Sequence, residues 1–469
     1  MKKTIIKLLC IASVFSAFSL VSCGEVVSDT SQGGKPGVQA DSSADDTSAD
    51  DTSVGSTLAD DTKSDVKDQP GKADDSSSAA DMPEKTHGDP SIEECGEDFK
   101  KGYNDFAAEL FRRTAASDAA DGKNVLVSPE SVIMALGMTA NGANGETLSQ
   151  MRNVLCKDVD GQSFNDNMLF LLDKSESSED VTFSIANSLW ARSSGFTLGQ
   201  DFADMAAEYF GASVYSEPFD GTTVGKINDW VNEKTDGMIP SIINQLSPTD
   251  VTVLLNAIAF QGSWAKPYED FNVDEKGVFN AYGGEKQDCA MLHSTEDVYI
   301  SDSSAKGFLK YYKGFDYAFM AILPNEGVSV EDYISSMTGE GFSSLLNSAE
   351  RGVNVIAQIP EFSYDYGAHL ASPLNDMGME LPFTADADFT AMGETETGIL
   401  CISDVIHKTH IELDRTGTKA AAATAVIMKD SAEAVTEVYE VKLDRPFVYA
   451  IVDVQNSIPV FIGAVNSVK

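Results

Sequence analysis

The composition of the chain changes abruptly near residue 99, and this change separates a segment with little apolar surface to bury from one that can form a core. The stretch between Cys23 and Phe99 is rich in Ser, Asp, Gly, Thr and Ala, and it holds 20 acidic residues against 5 lysines. Its like charges repel, and it has little apolar surface whose burial could offset the entropy lost on ordering. We therefore predict that residues 23–98 form an extended, disordered tether.

The N-terminus has the pattern of an export signal. Lysines at positions 2, 3 and 7 precede an apolar run over residues 8–21 that is too short and too rich in serine for a comfortable membrane span. The run ends in Leu20-Val21-Ser22-Cys23, which resembles a bacterial lipobox, whereas the alternative is an ordinary signal peptide with an incidental cysteine. We predict a lipoprotein signal peptide over residues 1–22, with Cys23 lipidated and the mature chain anchored to a bacterial outer membrane, at its periplasmic face or at the cell surface.

From residue 99 to residue 469 the composition is globular without a second break, which predicts one large domain. Helical patterns cover residues 99–114 and 201–210, and a capped helix follows Ser128-Pro129. Strand-like runs gather later, over residues 251–260, 315–323, 353–359, 447–454 and 458–465. Because helices come first and strands follow, the predicted class is α+β. The net charge of −41 argues against nucleic-acid partners, since phosphates would be repelled.

Short blocks along this domain resemble, in order and in spacing, those of one protein family. They are 124–131 (NVLVSPES), 140–147 (ANGANGET), 227–231 (INDWV) with 235–237 (TDG), 255–258 (LNAI) with Gly262 and Trp264, 320–324 (MAILP), 359–362 (IPEF), 377–379 (MGM), 387–389 (ADF), 405–426 and 444–447 (DRPF). The family is the serpins. The resemblance implies one domain over residues 99–469 with three β-sheets, eight or nine helices and an exposed reactive-centre loop.

The segment 412–426 (ELDRTGTKAAAATAV) resembles the hinge of inhibitory serpins. The side chains of the run 418–426 (TKAAAATAV) are mostly small and would not obstruct entry between two strands, and strand parity places the single charge of this run, Lys419, opposite the Thr/Ala/Val face. Taken alone, the alanine run would favour a helix, and the flanking blocks favour an insertable loop instead. The hinge residues are Gly417, Thr418, Ala420, Ala421, Ala422, Ala423 and Thr424.

The resemblance implies a suicide-substrate inhibitor of serine proteases, or of cysteine proteases, that carries no catalytic residue of its own. A protease would cleave the loop, form an acyl-enzyme and be trapped when the loop inserts into the central sheet. Family spacing from Gly417 places the scissile bond at Ser431-Ala432, which suits an elastase-like or subtilisin-like protease, while a shift would expose Met428 or Lys429. The alternative is a non-inhibitory serpin that acts as a binding or scaffold module.

The resemblance also assigns supporting residues. A buried polar cluster is implied at Ser128, Ser131, Asn256 and His407, and Trp264 is implied beneath the point where the loop enters the sheet. The chain departs from the family pattern at Arg415-Thr416, where serpins usually have two glutamates, which puts the usual salt bridge at the base of the loop in question. Because some serpins tie down their N-terminal arm in this region, a Cys95–Cys156 disulfide is also expected.

Enzyme chemistry has weak support in the sequence. Ser303-Ser304-Ala305-Lys306 matches the S-x-x-K motif of penicillin-interactive enzymes, but Ser403-Asp404-Val405 breaks the accompanying S-D-N element. The spacing of His407, His410 and Glu412 is not that of a zinc helix. We expect no metal or cofactor, a monomeric inhibitor, and contact with the membrane only through the lipid anchor.

Overall fold

The computed structural model describes residues 11–21, 87–177, 181–235, 237, 239–396, 398, 400–416 and 437–469, all within one compact unit. No helix in these ranges is long and apolar enough to cross a membrane. The helices are α1 (Glu97–Ala120), α2 (Pro129–Ala140), α3 (Gly145–Cys156), α4 (Gly161–Ser177), α5 (Gln200–Phe210), α6 (Gly221–Lys234), α7 (Val330–Ser336), α8 (Gly339–Asn347) and α9 (Ala371–Asp376).

The strands of the described residues form three hydrogen-bonded sheets. They are β1 (Ile11–Val21), β2 (Val125–Val127), β3 (Val181–Arg192), β4 (Phe196–Leu198), β5 (Ala212–Glu217), β6 (Asp250–Gly262), β7 (Val273–Asn280), β8 (Lys286–Ser301), β9 (Ala305–Tyr311), β10 (Tyr317–Pro324), β11 (Glu350–Pro360), β12 (Phe362–His369), β13 (Gly393–Thr395), β14 (Cys401–Leu413), β15 (Val438–Lys442), β16 (Phe447–Asp453) and β17 (Ile458–Val465).

The central sheet has six strands in the order β12-β14-β1-β6-β3-β5. A second sheet has nine strands, ordered β15-β11-β8-β9-β10-β16-β17-β2 with β7 added beside β8, and β13 pairs with β4. The sequence-predicted helices and strands all appear, with ends that shift by a few residues. The predicted α+β class with three sheets and eight or nine helices is confirmed.

Helix α2 holds the two large sheets together. Ser128 caps its N-terminus by accepting a hydrogen bond from the backbone N–H of Ser131, and Pro129 fills its first turn, as the sequence predicted. Every residue of α2 is buried, because the helix packs against β6 on one side and β17 on the other. Polar groups at this helix therefore need partners inside the protein.

One polar group on α2 stands out. The Glu130 side chain is buried beside the Lys174–Asp453 ion pair, whose Nζ–Oδ1 distance is 2.7 Å. Burial raises the pKa of Glu130 to about 8, with a further contribution from the Asp453 charge, while Lys174 opposes the shift. Glu130 is therefore largely protonated at neutral pH.

Strand β1 lies between β6 and β14 and runs antiparallel to both. Its register places Ile11 opposite Gln261 and Glu412, and Val21 opposite Asp250 and Cys401. This differs from the expectation that residues 1–22 lie outside the folded body. The flanking strands offer unpaired backbone groups at this position, and an apolar run of strand length can satisfy them.

The folded body also begins earlier than the predicted boundary at residue 99. The backbone N–H of Gly88 donates to the Glu208 carbonyl (3.1 Å), and that of Cys95 donates to Asn456 Oδ1 (3.1 Å). The composition of residues 87–98 resembles that of the tether, but tertiary contacts hold these residues to the body. The remainder of the predicted tether, and Cys23, lie outside the described residues.

The expected Cys95–Cys156 disulfide is wrong. Both cysteines are free and buried, and burial raises the pKa of the Cys156 thiol to about 12. Cys156 ends α3 where it packs on α1, and a Cβ at Gly102 would lie 2.4 Å from its Sγ. The two thiols therefore fill the core as small apolar groups.

A pH dependence follows for Glu130. Its folded-state pKa lies above the unfolded value, so the folded state keeps a proton that the unfolded state loses between about pH 4.5 and 8. Over this window stability falls as pH rises, by about 1 kcal/mol per unit. Glu130→Gln should flatten this slope, and thermal midpoints at pH 5, 6, 7 and 8 measure it. Parallel slopes for the two proteins would contradict the buried-acid interpretation.

Removing residues 1–22 should free the strand position between β6 and β14. Amides of β6 and β14 should then exchange with solvent faster, because their ladder partners on β1 are gone. Hydrogen exchange of chains 1–469 and 23–469 measures this, with the parallel β3–β5 pair as the internal control. Equal protection of β6 and β14 in the two chains would show that β1 contributes nothing to this sheet.

Candidate functional site: the strand slot and the root of the loop

The site is a position for a strand rather than a pocket. We call the position between β6 and β14 the slot; β1 occupies it. Because β1 is antiparallel to both neighbours, β6 and β14 run in the same direction. Strand β14 ends at Leu413, and β15 begins at Val438 in the other large sheet. We call the end of the slot where Ile11 lies opposite Gln261 and Glu412 its mouth.

A buried polar cluster crosses the middle of the slot. Asn256 on β6 and His407 on β14 both lie opposite Ser16 in the strand register. Ser131 Oγ donates to Asn256 Oδ1 (2.6 Å), and the backbone N–H of Ser128 donates to His407 Nε2 (3.2 Å). The structure thus brings these four sequence-predicted residues together.

The cluster extends to a residue that sequence reasoning missed. Asn256 Nδ2 donates to Asn187 Oδ1 (2.8 Å), and Asn187 Nδ2 donates to the Phe210 carbonyl (2.6 Å). The sequence did carry a signal for this residue, namely a polar asparagine inside the largely apolar strand β3. We call Ser128, Ser131, Asn187, Asn256 and His407 the polar latch.

The polar latch fastens both walls of the slot to one point. Strand β6 is attached to α2 through Ser131, and β14 is attached to the same helix end through Ser128. All five side chains are buried. Because each buried partner left unsatisfied costs about 1–3 kcal/mol, these hydrogen bonds stabilise the arrangement in which β1 separates β6 from β14.

An ion pair holds the chain at the mouth of the slot, and its polarity is the reverse of the one that the serpin pattern would give. Arg415 Nε lies 2.9 Å from Glu361 Oε1, and Arg415 Nη1 lies 2.9 Å from Glu275 Oε1. The backbone N–H of Arg415 also donates to Glu361 Oε1 (3.2 Å). The salt bridge that the sequence put in question is therefore present, with the cation on the loop side and the carboxylates on the body. Glu361 lies in the IPEF block, but its partner could not be read from the sequence.

Trp264 lies at the same mouth. Its Nε1–H donates to the Asp414 carbonyl (3.0 Å), and its ring stacks on Tyr312 with centroids 4.7 Å apart. The backbone N–H of Tyr268 donates to the next carbonyl, that of Arg415 (3.1 Å). Two consecutive carbonyls are thus fixed immediately before the loop begins. We call residues 414–416 the loop root.

Several sequence-predicted residues lie outside the described residues. They are the hinge residues Gly417, Thr418, Ala420, Ala421, Ala422, Ala423 and Thr424, the bond Ser431-Ala432 and its alternatives Met428 and Lys429. Beyond this segment, the Tyr439 ring stacks on Tyr299 with centroids 3.8 Å apart, and its hydroxyl donates to Glu350 Oε2 (2.9 Å). Contacts to the body therefore anchor the chain on both sides of the segment.

The residues of the enzyme alternative are not arranged as a catalytic pair. Lys306 Nζ donates to the Glu440 carbonyl (2.8 Å), and Ser303 Oγ lies 3.5 Å from Ser304 Oγ. His410 pairs with Asp365 (2.7 Å), whereas His407 belongs to the polar latch. Within the described part of the chain, no three His, Cys, Asp or Glu side chains converge as a metal site.

The Arg415 ion pair should contribute to holding the loop root. Arg415→Glu places a third carboxylate beside Glu361 and Glu275, and we expect it to cost about 1–2 kcal/mol at this partly exposed, multidentate site. The charge-swapped pair Arg415→Glu/Glu361→Arg should recover most of that loss. Thermal midpoints and hydrogen exchange of residues 412–416 measure the two effects.

A matched control is the bidentate Arg112–Glu109 pair on α1, which has similar exposure. Arg112→Glu should lower the midpoint without changing exchange at residues 412–416. If Arg415→Glu leaves exchange at the loop root unchanged, the ion pair does not hold the root.

Comparison with known proteins agrees with this architecture. The serpin family model, described as serine protease inhibitor, matches residues 101–468. A serpin-like protein of Thermococcus kodakarensis is 30% identical over 375 residues, covering 78% of this chain and 85% of that protein. Iripin-8 of Ixodes ricinus is 28% identical over 366 residues, covering 74% of this chain and 89% of its own.

Comparison with solved structures also finds serpins. The native state of tengpin, a thermophilic serpin, has 38% identity and a TM-score of 0.75, and the match covers 83% of this chain and 99% of tengpin. Its latent state has 37% identity and a TM-score of 0.70, covering 80% and 99%. The chain belongs to the serpin family.

Proposed function

We propose that this protein is an inhibitory serpin, a single-use inhibitor of serine proteases that traps its target by inserting a cleaved loop into the central sheet. One observation carries the proposal. The slot between β6 and β14 accommodates an eleven-residue strand antiparallel to both walls. A segment that leaves the end of β14 and folds back along it would have that same direction.

The chemistry begins with the target protease. Its serine hydroxyl attacks the carbonyl carbon of Ser431, the Ser431–Ala432 peptide bond breaks, and the new amine of Ala432 departs with the C-terminal part of the chain. Ser431 is left as an ester on the protease. This chain contributes no catalytic group; its role is to present the bond and then to move.

Insertion follows cleavage because the hinge side is no longer tied to β15. Residues from Thr418 onward enter the slot, form ladder hydrogen bonds with β6 and β14, and carry the acylated protease along. Each such bond contributes about 0.5–1.5 kcal/mol net, and burial of small side chains adds to it. The uncleaved state must therefore lie higher in free energy than the inserted one, with the contacts of the loop root among its restraints.

The target preference comes from the residues around the bond. Ser431 and Ala432 are small, which suits the shallow primary pocket of an elastase-like or subtilisin-like protease. A bond displaced by two or three residues would instead present Lys429 to a trypsin-like enzyme or Met428 to a chymotrypsin-like one. Cysteine proteases are a further target class, since they form the equivalent thioester.

We also propose that the protein is exported, cleaved before Cys23 and anchored as a monomer by acyl chains on that residue, on an outer membrane. The support is the charge, length and lipobox-like end of residues 1–22. Removal of these residues would also take β1 out of the slot. Export would then yield a chain whose slot can accept the loop.

The test is complex formation by chain 23–469. Incubation with elastase, subtilisin, trypsin and chymotrypsin should give, with at least one of them, a covalent complex that survives denaturing gels. The loop-cleaved protein should melt at a higher temperature than the intact one. Cleavage in the loop without complex, and with an unchanged midpoint, would contradict inhibition and favour a binding role. Mass spectrometry of the released peptide identifies the bond.

Thr418→Arg should convert the inhibitor into a substrate. The inserted residue 418 would face the sheet interior, where an unpaired charge is costly, so insertion slows and the acyl-enzyme hydrolyses first. The matched control is Lys419→Arg, since position 419 faces the other side and already carries a charge. We expect complex from the control and only cleaved chain from Thr418→Arg; equal complex yields would refute this insertion register.

A further inference from the structure

A buried lysine lies behind the loop root. The Lys310 side chain on β9 is 1% exposed, and its Nζ lies 2.9 Å from Glu296 Oε1. Desolvation lowers the pKa of Lys310, while the Glu296 charge opposes the shift. Replacing a buried ion pair by apolar groups is often neutral or stabilising, so stability alone does not account for this pair.

The ammonium group contacts three alternate residues of one segment. Lys310 Nζ lies 5.3 Å from the Trp264 ring centroid and 4.3 Å from the Tyr268 ring centroid, and it donates to the Lys266 carbonyl (3.2 Å). Residues 264–268, which follow β6, therefore wrap around a single cation. We call them the docking segment.

The docking segment faces the loop root with its other polar groups. Trp264 Nε1–H binds the Asp414 carbonyl, and the Tyr268 backbone N–H binds the Arg415 carbonyl. The two donors can reach the consecutive carbonyls of Asp414 and Arg415 only if Trp264 and Tyr268 keep their relative positions. Lys310 contacts the rings of both residues.

We propose that Lys310 is a positioning residue whose ammonium group shapes the docking segment so that it holds the loop root, and that it thereby sets how readily the root is released into the slot. This inference rests on the proposed role of the loop. Glu296 keeps the ammonium in place, and the Arg415 ion pair holds the same root from the side-chain end.

The chain offers a matched control. Lys174 forms a partly buried ion pair with Asp453, and its Nζ lies 5.8 Å from the Tyr317 ring centroid. Lys174→Met and Lys310→Met therefore remove the same kinds of contact, but Lys174 lies on α4 and its partners Asp453 and Tyr317 lie on β16 and β10, outside the docking segment. A general loss of core stability would affect both variants alike.

The experiment is hydrogen exchange of the full chain 1–469, with the Tyr268 amide resolved by fragmentation mass spectrometry. Lys310→Met should speed exchange at the Tyr268 amide about tenfold relative to wild type and to Lys174→Met, on the scale of lost cation–π contacts. Acrylamide quenching of Trp264, in a background with Trp190→Phe and Trp230→Phe, should increase in the same variant only.

A second variant separates positioning from folding. Lys310→Met leaves Glu296 buried without its partner and could unfold the chain, whereas Lys310→Met/Glu296→Met removes both charges. The double variant should melt near the wild-type temperature and still exchange fast at the Tyr268 amide. Wild-type exchange in the double variant, or equal exchange in Lys310→Met and Lys174→Met, would overturn the proposal.

These outcomes are independent of protease inhibition. If wild-type protein forms no covalent complex while the contrast at the Tyr268 amide holds, the proposed function fails and the role of Lys310 stands. If complexes form and the contrast is absent, the inhibitor stands and Lys310 is only part of the core.

Discussion

The central sheet contains a position whose two flanking strands, β6 and β14, run in the same direction. β6 and β14 can be bridged by one more strand antiparallel to both, and their facing backbone groups require a partner. In the part of the chain that the structure describes, β1 is this partner. Any other segment that entered the slot would compete with β1 for the same backbone hydrogen bonds.

Contacts from the rest of the body hold the two walls of the slot and the chain at its mouth. The polar latch ties the middle of both walls to α2, which is itself fixed between the two large sheets. At the mouth, the docking segment holds backbone carbonyls and the Arg415 ion pair holds a side chain. The middle and the mouth of the slot are thus held by different contacts.

Much of this could be predicted from the sequence. The apolar periodicity of α1, the Ser128-Pro129 cap of α2 and the buried runs of β6, β16 and β17 are local patterns, so the element types followed directly. The four predicted members of the polar latch came from a resemblance carried by short blocks. Asn187, Tyr268, Glu275 and Lys310 were missed, because each acquires its role from a partner far away in the chain.

The α+β class, the family resemblance, the charge asymmetry and the run of small residues after Gly417 could be read from the sequence, since they are properties of composition, period and order. Three features became visible only in the folded chain: the reversed polarity of the Arg415 ion pair, the free state of Cys95 and Cys156, and the cation behind Trp264 and Tyr268. The physical reason is that pairing across a fold depends on which side chains meet, and strands distant in sequence meet only after the sheets are assembled.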